Sequence, residues 1–159
     1  MKASAPAEIF LREVTESDLP IFFEQQMDPD ATRMAAFPAR DQEAFTAHWA
    51  RILADESVII RTILWDGQVA GNIVSFEQDG RREVGYWLGK VYWGKGIASQ
   101  ALSVFLDTIN IRPLYAHVAK HNLASLRVLQ KNGFTVIDAS AGISEVRDGK
   151  IEEYVMEKR

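Results

Sequence analysis

The sequence of 159 residues predicts a single α/β domain of the α+β kind, with a mixed, mostly antiparallel central sheet flanked by about four helices. Three observations lead to this fold. The length suits one domain over residues 1–159, and 47% hydrophobic with 25% charged residues is ordinary globular usage. Apolar residues recur at strand spacing in some segments and at helical spacing in others. Asp-Gly pairs separate the strand-like runs, which gives the element order βααβββαβαββ.

The chain should begin with a strand and a helix. Residues 9–14 alternate apolar and polar side chains, which is the pattern of a strand. Ser17 is positioned to be the N-cap of a helix with Pro20 in its first turn, and the Asp-Pro-Asp run at 28–30 should end that helix. The residues expected to face inward are Leu19, Phe22, Phe23 and Met27.

A loop and a second helix should follow. The loop contains Arg33, Met34 and Phe37, and from Asp41 onward apolar residues recur at helical spacing. The recurring positions are Phe45, His48/Trp49 and Ile52/Leu53. This spacing predicts an amphipathic helix.

The middle of the chain predicts three antiparallel strands, at about 58–65, 68–77 and 82–89. The pairs Asp66-Gly67 and Asp79-Gly80 lie between them. Glycine accepts the positive φ that a tight hairpin turn requires, so two hairpins are expected here.

Helices and strands alternate in the remainder. Apolar spacing predicts a helix from Ile97 to Ile109 and a strand at 113–118. The next helix should have Asn122 as its N-cap and Gly133 just past its end. The last elements are a strand near 134–140, a turn at Asp148-Gly149 and a strand near 152–158.

Composition narrows the function. The net charge is −4 and no long Lys/Arg run is present, so the sequence does not indicate binding to nucleic acid or to an anionic membrane. A negative surface would suit a cationic substrate. The absence of cysteine removes any cysteinyl-enzyme intermediate. The N-terminus lacks the apolar core of a signal peptide, and no apolar run approaches the roughly 20 residues of a membrane span. A cytoplasmic protein is expected.

The stretch GKVYWGKG at 89–96 approximates the phosphate-binding loop of nucleotide hydrolases. Gly96 lacks the Mg²⁺-binding hydroxyl of that motif, and a dinucleotide motif would need glycine where Ser99 lies. The remaining pattern is a strand end, two glycines at 94 and 96, and a helix start. The free backbone amides of such a helix start can bind phosphate oxygens, and Lys95 can add a positive charge. A plain turn is the alternative.

The segments YWGKGIASQAL and PLYAHVAKHNLASLRVLQKNGF carry a more specific pattern. Gly94-x-Gly96-x-Ala98 opens one helix, Asn122-x-x-Ser125 opens the next, and Lys131-x-Gly133-Phe134 ends it. Together with the element order, these motifs resemble the GCN5-related N-acetyltransferases (GNAT family), most closely the branch containing the ribosomal-protein N-terminal acetyltransferases. Residues 83–134 carry most of the resemblance.

The resemblance implies an acetyl-CoA site. The pyrophosphate would lie on the amides of residues 94–99, and pantetheine would pair with the strand end at 88–91 like an added strand. Asn122 would reach the pantetheine or the thioester. The implied cofactor-binding residues are Leu88, Lys90, Val91, Gly94, Lys95, Gly96, Ile97, Ala98, Ser99 and Asn122.

Two positions depart from the family pattern. Val91 lies where members often have Gln or Arg, which should be tolerated because backbone amides bind the phosphates. Leu129 lies where many relatives have a tyrosine that protonates the departing thiolate. The second departure removes the usual side-chain acid.

The implied chemistry is direct attack of a primary amine on the thioester in a ternary complex, since no cysteine is present. Such an amine is almost wholly protonated at neutral pH, so a base must collect its proton. Glu83 is the first candidate and Glu77 the reserve; a solvated carboxylate is the alternative interpretation of Glu83. A backbone N–H near Lys90 or Val91 is the candidate donor to the oxyanion.

Asn122 and Ser125 complete the candidate catalytic set with Glu83. Ser125 is a possible proton donor to the thiolate, directly or through water, or it only supports the helix start. Asn122 either contacts the cofactor or serves only as an N-cap. The aromatic candidates for an acceptor pocket are Phe37, Phe76 and Tyr86, and also Trp87, which strand alternation sends to the face opposite Tyr86.

No metal site is expected, because His117 and His121 fall on a strand and a loop without a third ligand. The acceptor stays open among a protein N-terminus, an amino acid, a polyamine and an aminoglycoside-like compound. A monomer or a homodimer is expected. The alternative function is a non-catalytic acyl-CoA-binding or sensor domain of the same fold.

Overall fold

A computed structural model describes residues 8–146 and 149–159 of the chain. Seven strands form one sheet in the order β1-β2-β3-β4-β5-β7-β6. The strands are β1 (Ile9–Arg12), β2 (Ile59–Trp65), β3 (Gln68–Gln78), β4 (Arg81–Leu88), β5 (Leu114–Ala119), β6 (Thr135–Val146) and β7 (Gly149–Lys158). The helices are α1 (Leu19–Met27), α2 (Pro29–Ala35), α3 (Gln42–Ala54), α4 (Ile97–Thr108) and α5 (Leu123–Lys131), with 3-10 turns at Glu16–Asp18 and Lys90–Tyr92.

Strand pairing is antiparallel except between β4 and β5, which run parallel. These two strands share a single paired position, Glu83 opposite Tyr115. The α/β fold with a mixed, mostly antiparallel sheet is confirmed. None of the helices in the described part of the chain has the length and apolar character needed to cross a bilayer.

Two apolar clusters cover the two faces of the sheet, as strand alternation requires. On one face, α4 packs through Leu102 and Phe105 against strand residues such as Ile73, all of them fully buried. On the other face, Phe22 of α1 packs against Trp49 of α3, with ring centroids 5.1 Å apart. The sheet is therefore a middle layer, and the helices pack on both sides of it.

The predicted hairpins are confirmed. Asp66 and Gly67 have φ of 50° and 78°, and Asp79 and Gly80 have φ of 50° and 77°, which are the left-handed conformations that tight turns use. The predicted turn at Asp148-Gly149 lies partly outside the described residues.

The first predicted helix differs in detail. Ser17 is not an N-cap, because the chain first makes a 3-10 turn in which the Asp18 carboxylate accepts from Thr15 N at 2.9 Å. Asp18 is buried, and Thr62 Oγ1 also donates to it at 2.7 Å. Met27, predicted to face inward, is 46% exposed because it occupies the last turn of α1.

The predicted loop containing Arg33 and Met34 is instead helix α2. Asp28 ends α1 and at the same time caps α2, since its side chain accepts from Asp30 N at 2.8 Å and from Ala31 N at 3.3 Å. Pro29 occupies the first turn, where its missing N–H costs nothing. The Asp-Pro-Asp run is therefore a start signal as well as a stop signal, and α2 is an additional element in the predicted order.

Candidate active site

A cavity of about 340 Å³ opens where β4 and β5 separate. The two strands pair only at Glu83 and Tyr115, so no further backbone pairing joins them toward their C-terminal ends. The end of β4, the start of α4, the start of α5 and one side of α2 line the cavity. Parallel strands that part in this way leave polar backbone edges that a ligand can use.

The glycine loop forms one wall of the cavity. Gly94 and Gly96 have φ of 74° and 77°, a region that other residues enter only at a cost. Gly96 is the N-cap of α4 and makes no side-chain cap, and the first hydrogen bond of the helix runs from Gln100 N to Gly96 O at 3.2 Å. The amides before Gln100 are therefore available to an anion at the positive end of the helix dipole.

Nine of the predicted site residues line this cavity together. They are Tyr86, Leu88, Gly94, Gly96, Ile97, Ala98, Ser99, Asn122 and Ser125. The structure thus brings the start of both helices and the end of β4, which the sequence pattern singled out, to one cavity. Their individual roles remain predictions.

Asn132, which the sequence analysis did not identify as a site residue, holds the first turn of α4, directly after the glycine loop, against the end of α5. Its Nδ2 donates to Ser99 O at 3.3 Å and to Val128 O at 2.9 Å. The end of α5 is thereby tied to the first turn of α4. Because both helix starts line the cavity, this tie holds its two walls in register.

Tyr86 and Ser125 meet inside the cavity. Tyr86 Oη lies 2.8 Å from Ser125 Oγ, so a hydrogen bond joins β4 to α5. Burial raises the pKa of Tyr86, with the hydrogen bond to Ser125 acting in the opposite sense. The phenol is therefore neutral at physiological pH and can orient the serine hydroxyl. Leu129, at the position where many relatives have a tyrosine, is buried in the core and offers no hydroxyl.

Asn122 serves as the N-cap of α5 and also lines the cavity. Its Oδ1 accepts from Ser125 N at 3.2 Å, which fixes the first turn of the helix. Its amide group is half-buried at the cavity wall. The capping interpretation and the ligand-contact interpretation are therefore compatible.

Three predicted cofactor residues lie outside the cavity lining. The strand ends at Leu88, and Lys90 and Val91 form a 3-10 turn rather than the strand end at 88–91 that the family resemblance implied. Gly89 begins this turn by accepting from Tyr92 N at 2.9 Å. Lys90 pairs with Asp30 of α2, and Val91 is 77% exposed. The strand-like edge expected at 88–91 is therefore shorter than predicted.

Lys95 also points elsewhere: its ammonium lies 5.7 Å from the ring centroid of Trp65. Phe37 is 44% exposed and stacks under the guanidinium of Arg40, and Phe76 lies opposite Glu83 on β3. Neither phenylalanine is among the cavity residues. Trp87, also named as an aromatic of the pocket, does line the cavity. Cavity residues that the sequence analysis did not place in the site are Ala31, Met34, Ala35, Tyr92, Trp93, Ala124, Arg127 and Val128.

Glu83 lies outside the cavity lining but is not a solvated carboxylate, since its side chain is 6% exposed. Its Oε1 lies 3.3 Å from His117 Nε2, and His117 Nδ1 lies 3.3 Å from Glu153 Oε2. His121 instead bonds through Nε2 to Arg33 O at 2.9 Å, so the two histidines do not converge. Over residues 8–146 and 149–159, no group of three potential ligands is arranged to hold a metal ion.

The sheet and its cavity define a class of fold in which two parallel strands separate beside a cavity at the start of two helices. The sequence model of the Acetyltransferase (GNAT) domain matches residues 8–135. The chain therefore belongs to the GNAT acetyltransferase family. This membership supports an acyltransferase.

A known relative is similar over part of the chain. The uncharacterized N-acetyltransferase p20 of Bacillus licheniformis is 36% identical over 62 residues, which are 36% of this chain and 35% of that protein. The match thus spans about a third of the relative's length.

Solved structures share the fold over nearly the whole chain. The spermidine N-acetyltransferase of Vibrio cholerae, in complex with CoA and spermine, superposes with a TM-score of 0.82 at 14% identity over 94% of both chains. RimL, a ribosomal L7/L12 alpha-N-protein acetyltransferase in complex with CoA, gives 0.80 at 20% identity over 94% of this chain and 93% of its own. A GNAT family acetyltransferase of Bacillus anthracis gives 0.80 at 19% identity over 95% of both chains.

Proposed function

We propose that the protein is an acetyl-CoA-dependent N-acetyltransferase that moves an acetyl group to a primary amine by direct attack in a ternary complex. The observation that carries the proposal is that the uncapped start of α4 and the Tyr86–Ser125 pair face one cavity between separating strands. CoA in the structures of two proteins with the same fold supports acetyl-CoA as the co-substrate.

The glycine loop is suited to the pyrophosphate of CoA. The amides of residues 94–99 lie at a helix start without a side-chain cap, where backbone N–H groups and the helix dipole favour an anion. The backbone edge of β4 next to the gap, from Tyr86 to Leu88, is the remaining strand-like surface for the two amides of pantetheine. Acetyl-CoA bound in this way would place its thioester near Ser125.

Ser125 is the proposed proton donor to the departing thiolate. A thiol with a pKa near 8.5 is a good leaving group, so a single hydroxyl, directly or through water, is sufficient help. Tyr86 orients that hydroxyl at 2.8 Å and stays neutral because it is buried. This pair would protonate the departing thiolate, which Leu129 cannot do because it is an apolar residue buried in the core.

The acceptor amine is proposed to approach on the face of β4 that carries Glu83, Gly85 and Trp87. This face is opposite to the one that carries Tyr86 and Leu88, because successive side chains of a strand point to opposite faces. A Cβ at Gly85 would meet nothing nearer than Val74 Cγ1 at 4.0 Å, so the face between Glu83 and Trp87 is open. Trp87 reaches the cavity, and Glu83 lies at the other end of this open face. Glu83 is therefore the proposed acceptor of the amine proton. Because Lys90 and Val91 lie outside the cavity lining, a backbone N–H at the end of β4 replaces their amides as the proposed donor to the oxyanion.

Two of the solved structures with the same fold indicate the general class of the acceptor. Spermine is bound in the Vibrio cholerae structure, and RimL is described as acting on ribosomal protein L7/L12. Both are amine-bearing acceptors, one small and one a protein. They support a primary amine for this chain without choosing its kind.

Thiol release from acetyl-CoA tests the proposal. A peptide with a free N-terminus, free amino acids, a polyamine and an aminoglycoside are each supplied, with CoA binding measured by calorimetry alongside. Turnover with an amine supports the enzyme. Tight CoA binding without turnover of any amine supports the sensor domain, and the absence of both contradicts each of them.

A further inference from the structure

His117 lies between two carboxylates from different strands. Nε2 is 3.3 Å from Glu83 Oε1 and Nδ1 is 3.3 Å from Glu153 Oε2. A neutral imidazole has one nitrogen without hydrogen, and here that lone pair would face an anionic oxygen. The arrangement therefore requires a doubly protonated ring, and the three side chains carry a net charge of −1 as a unit.

The cluster bridges three strands beside the gap. Glu83 lies on β4 at the single position where β4 pairs with β5, and His117 lies two residues further along β5. Glu153 on β7 is opposite Ala119. All three side chains lie on the sheet face that carries Gly85, away from the cofactor loop. Glu83 is nearly buried, whereas the His117 side chain is 48% exposed and reaches solvent.

Several charged groups of the described residues near the cluster have partners of their own. Glu77 of β3 pairs with Arg82 at 3.8 Å, Arg81 of β4 stacks on the Tyr115 ring at 4.5 Å, and Glu157 of β7 pairs with Arg159 at 2.9 Å. On α2, Arg33 pairs with Asp30. The pKa of His117 is raised to about 10, first by Glu153 and then by Glu83, against the effect of burial.

We infer that Glu83, His117 and Glu153 act as one proton-accepting unit of the proposed transferase, in which Glu83 receives the amine proton and His117 and Glu153 are positioning residues. The inference rests on the proposed function. In this step the nitrogen–hydrogen bond of the attacking amine breaks, its electron pair stays on nitrogen, and the proton forms a bond to a Glu83 oxygen. The proton then leaves to water at the exposed edge of the cluster.

The second carboxylate explains how a buried, ion-paired glutamate can act as a base. With His117 alone, a proton arriving on Glu83 would leave an imidazolium without a counter-charge, which opposes the transfer. Glu153 keeps the imidazolium paired after the proton arrives. The imidazolium therefore has a carboxylate partner in both protonation states, and the net charge of the three side chains passes from −1 to zero.

The acid limb is the range of low pH over which kcat/KM for the amine rises with pH. Two substitutions should shift this limb in opposite directions along the pH axis. In His117→Gln, Glu83 loses its cation and keeps a like charge nearby, so the limb of kcat/KM for the amine should shift up by about one pH unit. In Glu153→Gln, the limb should shift down and the plateau should fall about tenfold, because Glu83 becomes a weaker base. His117→Arg restores a planar cation and should return the limb toward its original position. His48→Gln on α3 is the matched control.

The outcomes separate the two proposals. Wild-type protein that turns over no amine overturns the proposed function and this inference with it. An active wild type with acid limbs that coincide in His117→Gln and Glu153→Gln overturns the inference alone, since a purely structural role lowers the rate without moving the limbs apart. Nitrogen NMR of the wild-type ring at about pH 8 decides where a variant does not fold: an imidazolium supports the unit and a neutral ring overturns it.

Discussion

Tyr86 Oη lies 2.8 Å from Ser125 Oγ, and this contact links strand β4 to helix α5 across the cavity. The two residues are 39 positions apart in the chain and meet because α5 starts beside the separating strands. A buried phenol that remains neutral can fix a serine hydroxyl without competing for its proton. The contact orients a serine hydroxyl at the cavity, and this hydroxyl is the proton donor that we propose where Leu129 offers none.

Replacing Ser125 by alanine should lower kcat with the best amine by about 10- to 100-fold, at or below the low end of general acid catalysis, because a thiolate is a good leaving group. The dissociation constant of CoA should stay within about twofold, because the amides of the glycine loop are untouched. Tyr86→Phe should cause a smaller loss of kcat. Steady-state kinetics and calorimetry measure both quantities.

Ser103→Ala is the matched control, since Ser103 is exposed on α4. A Ser125→Ala protein with the wild-type kcat would remove Ser125 from the chemistry. In that case water alone would protonate the thiolate.

Gly96→Ala should weaken CoA binding. Its φ of 77° places any side chain in the left-handed region at a cost of roughly 1–2 kcal/mol, and relaxing that strain turns the amides of the α4 start. Gly67→Ala is the control: Gly67 has φ of 78° in a hairpin with no atom within 4 Å of the added Cβ.

Both variants should lose similar unfolding free energy in denaturant titrations, and only Gly96→Ala should lose CoA affinity in calorimetry. Equal CoA affinity in the two variants would show that the glycine loop does not hold the cofactor.

Gly85→Ala should raise KM for the amine about tenfold or more while leaving CoA affinity unchanged. The added methyl group fits the fold, because its nearest neighbour is Val74 Cγ1 at 4.0 Å, but it occupies the open face between Glu83 and Trp87. Initial rates at saturating acetyl-CoA give this KM. An unaltered KM would mean that the amine approaches by another route.

Stability should fall as pH rises from about 6.5 to about 10. The ordinary pKa of His117 is 6.5 and the folded value is raised to about 10 by Glu153 and Glu83. Below pH 6.5 both folded and unfolded chains hold the proton, so the stabilisation is complete. Above it the unfolded chain releases the proton first, and the stabilisation is lost through the folded pKa.

Urea titrations across this pH range measure the effect, and in His117→Gln the decline should be reduced. A decline of equal size in the variant would assign it to other groups.

Local chemistry accounts for what could be predicted of the fold. The turns at Asp66-Gly67 and Asp79-Gly80 follow from conformations that these two residue types adopt readily. Helix α2 was missed because Asp28-Pro29 was interpreted only as an end to α1, whereas the Asp28 side chain also caps the next helix. The strand end at 88–91 is an expectation from the family resemblance, and it is wrong at Lys90 and Val91 because the chain turns at Gly89.

The same division holds for the site. The amides of the glycine loop are a local feature, so residues 94 and 96–99 could be located from the sequence. The contacts of Tyr86 with Ser125 and of Glu83 with His117 depend on how α5 and β5 meet β4. No spacing in the sequence encodes them, so the sequence leaves a solvated carboxylate open as the alternative to a base at Glu83.

The transfer of an isotopically labelled acetyl group tests the central claim most directly. Labelled acetyl-CoA is incubated with the protein and an amine, and mass spectrometry locates the label while thiol release is followed. The label is predicted on the amine nitrogen in an amount equal to the thiol released. Label recovered only as free acetate, or thiol release no faster than without protein for every amine, would contradict the account.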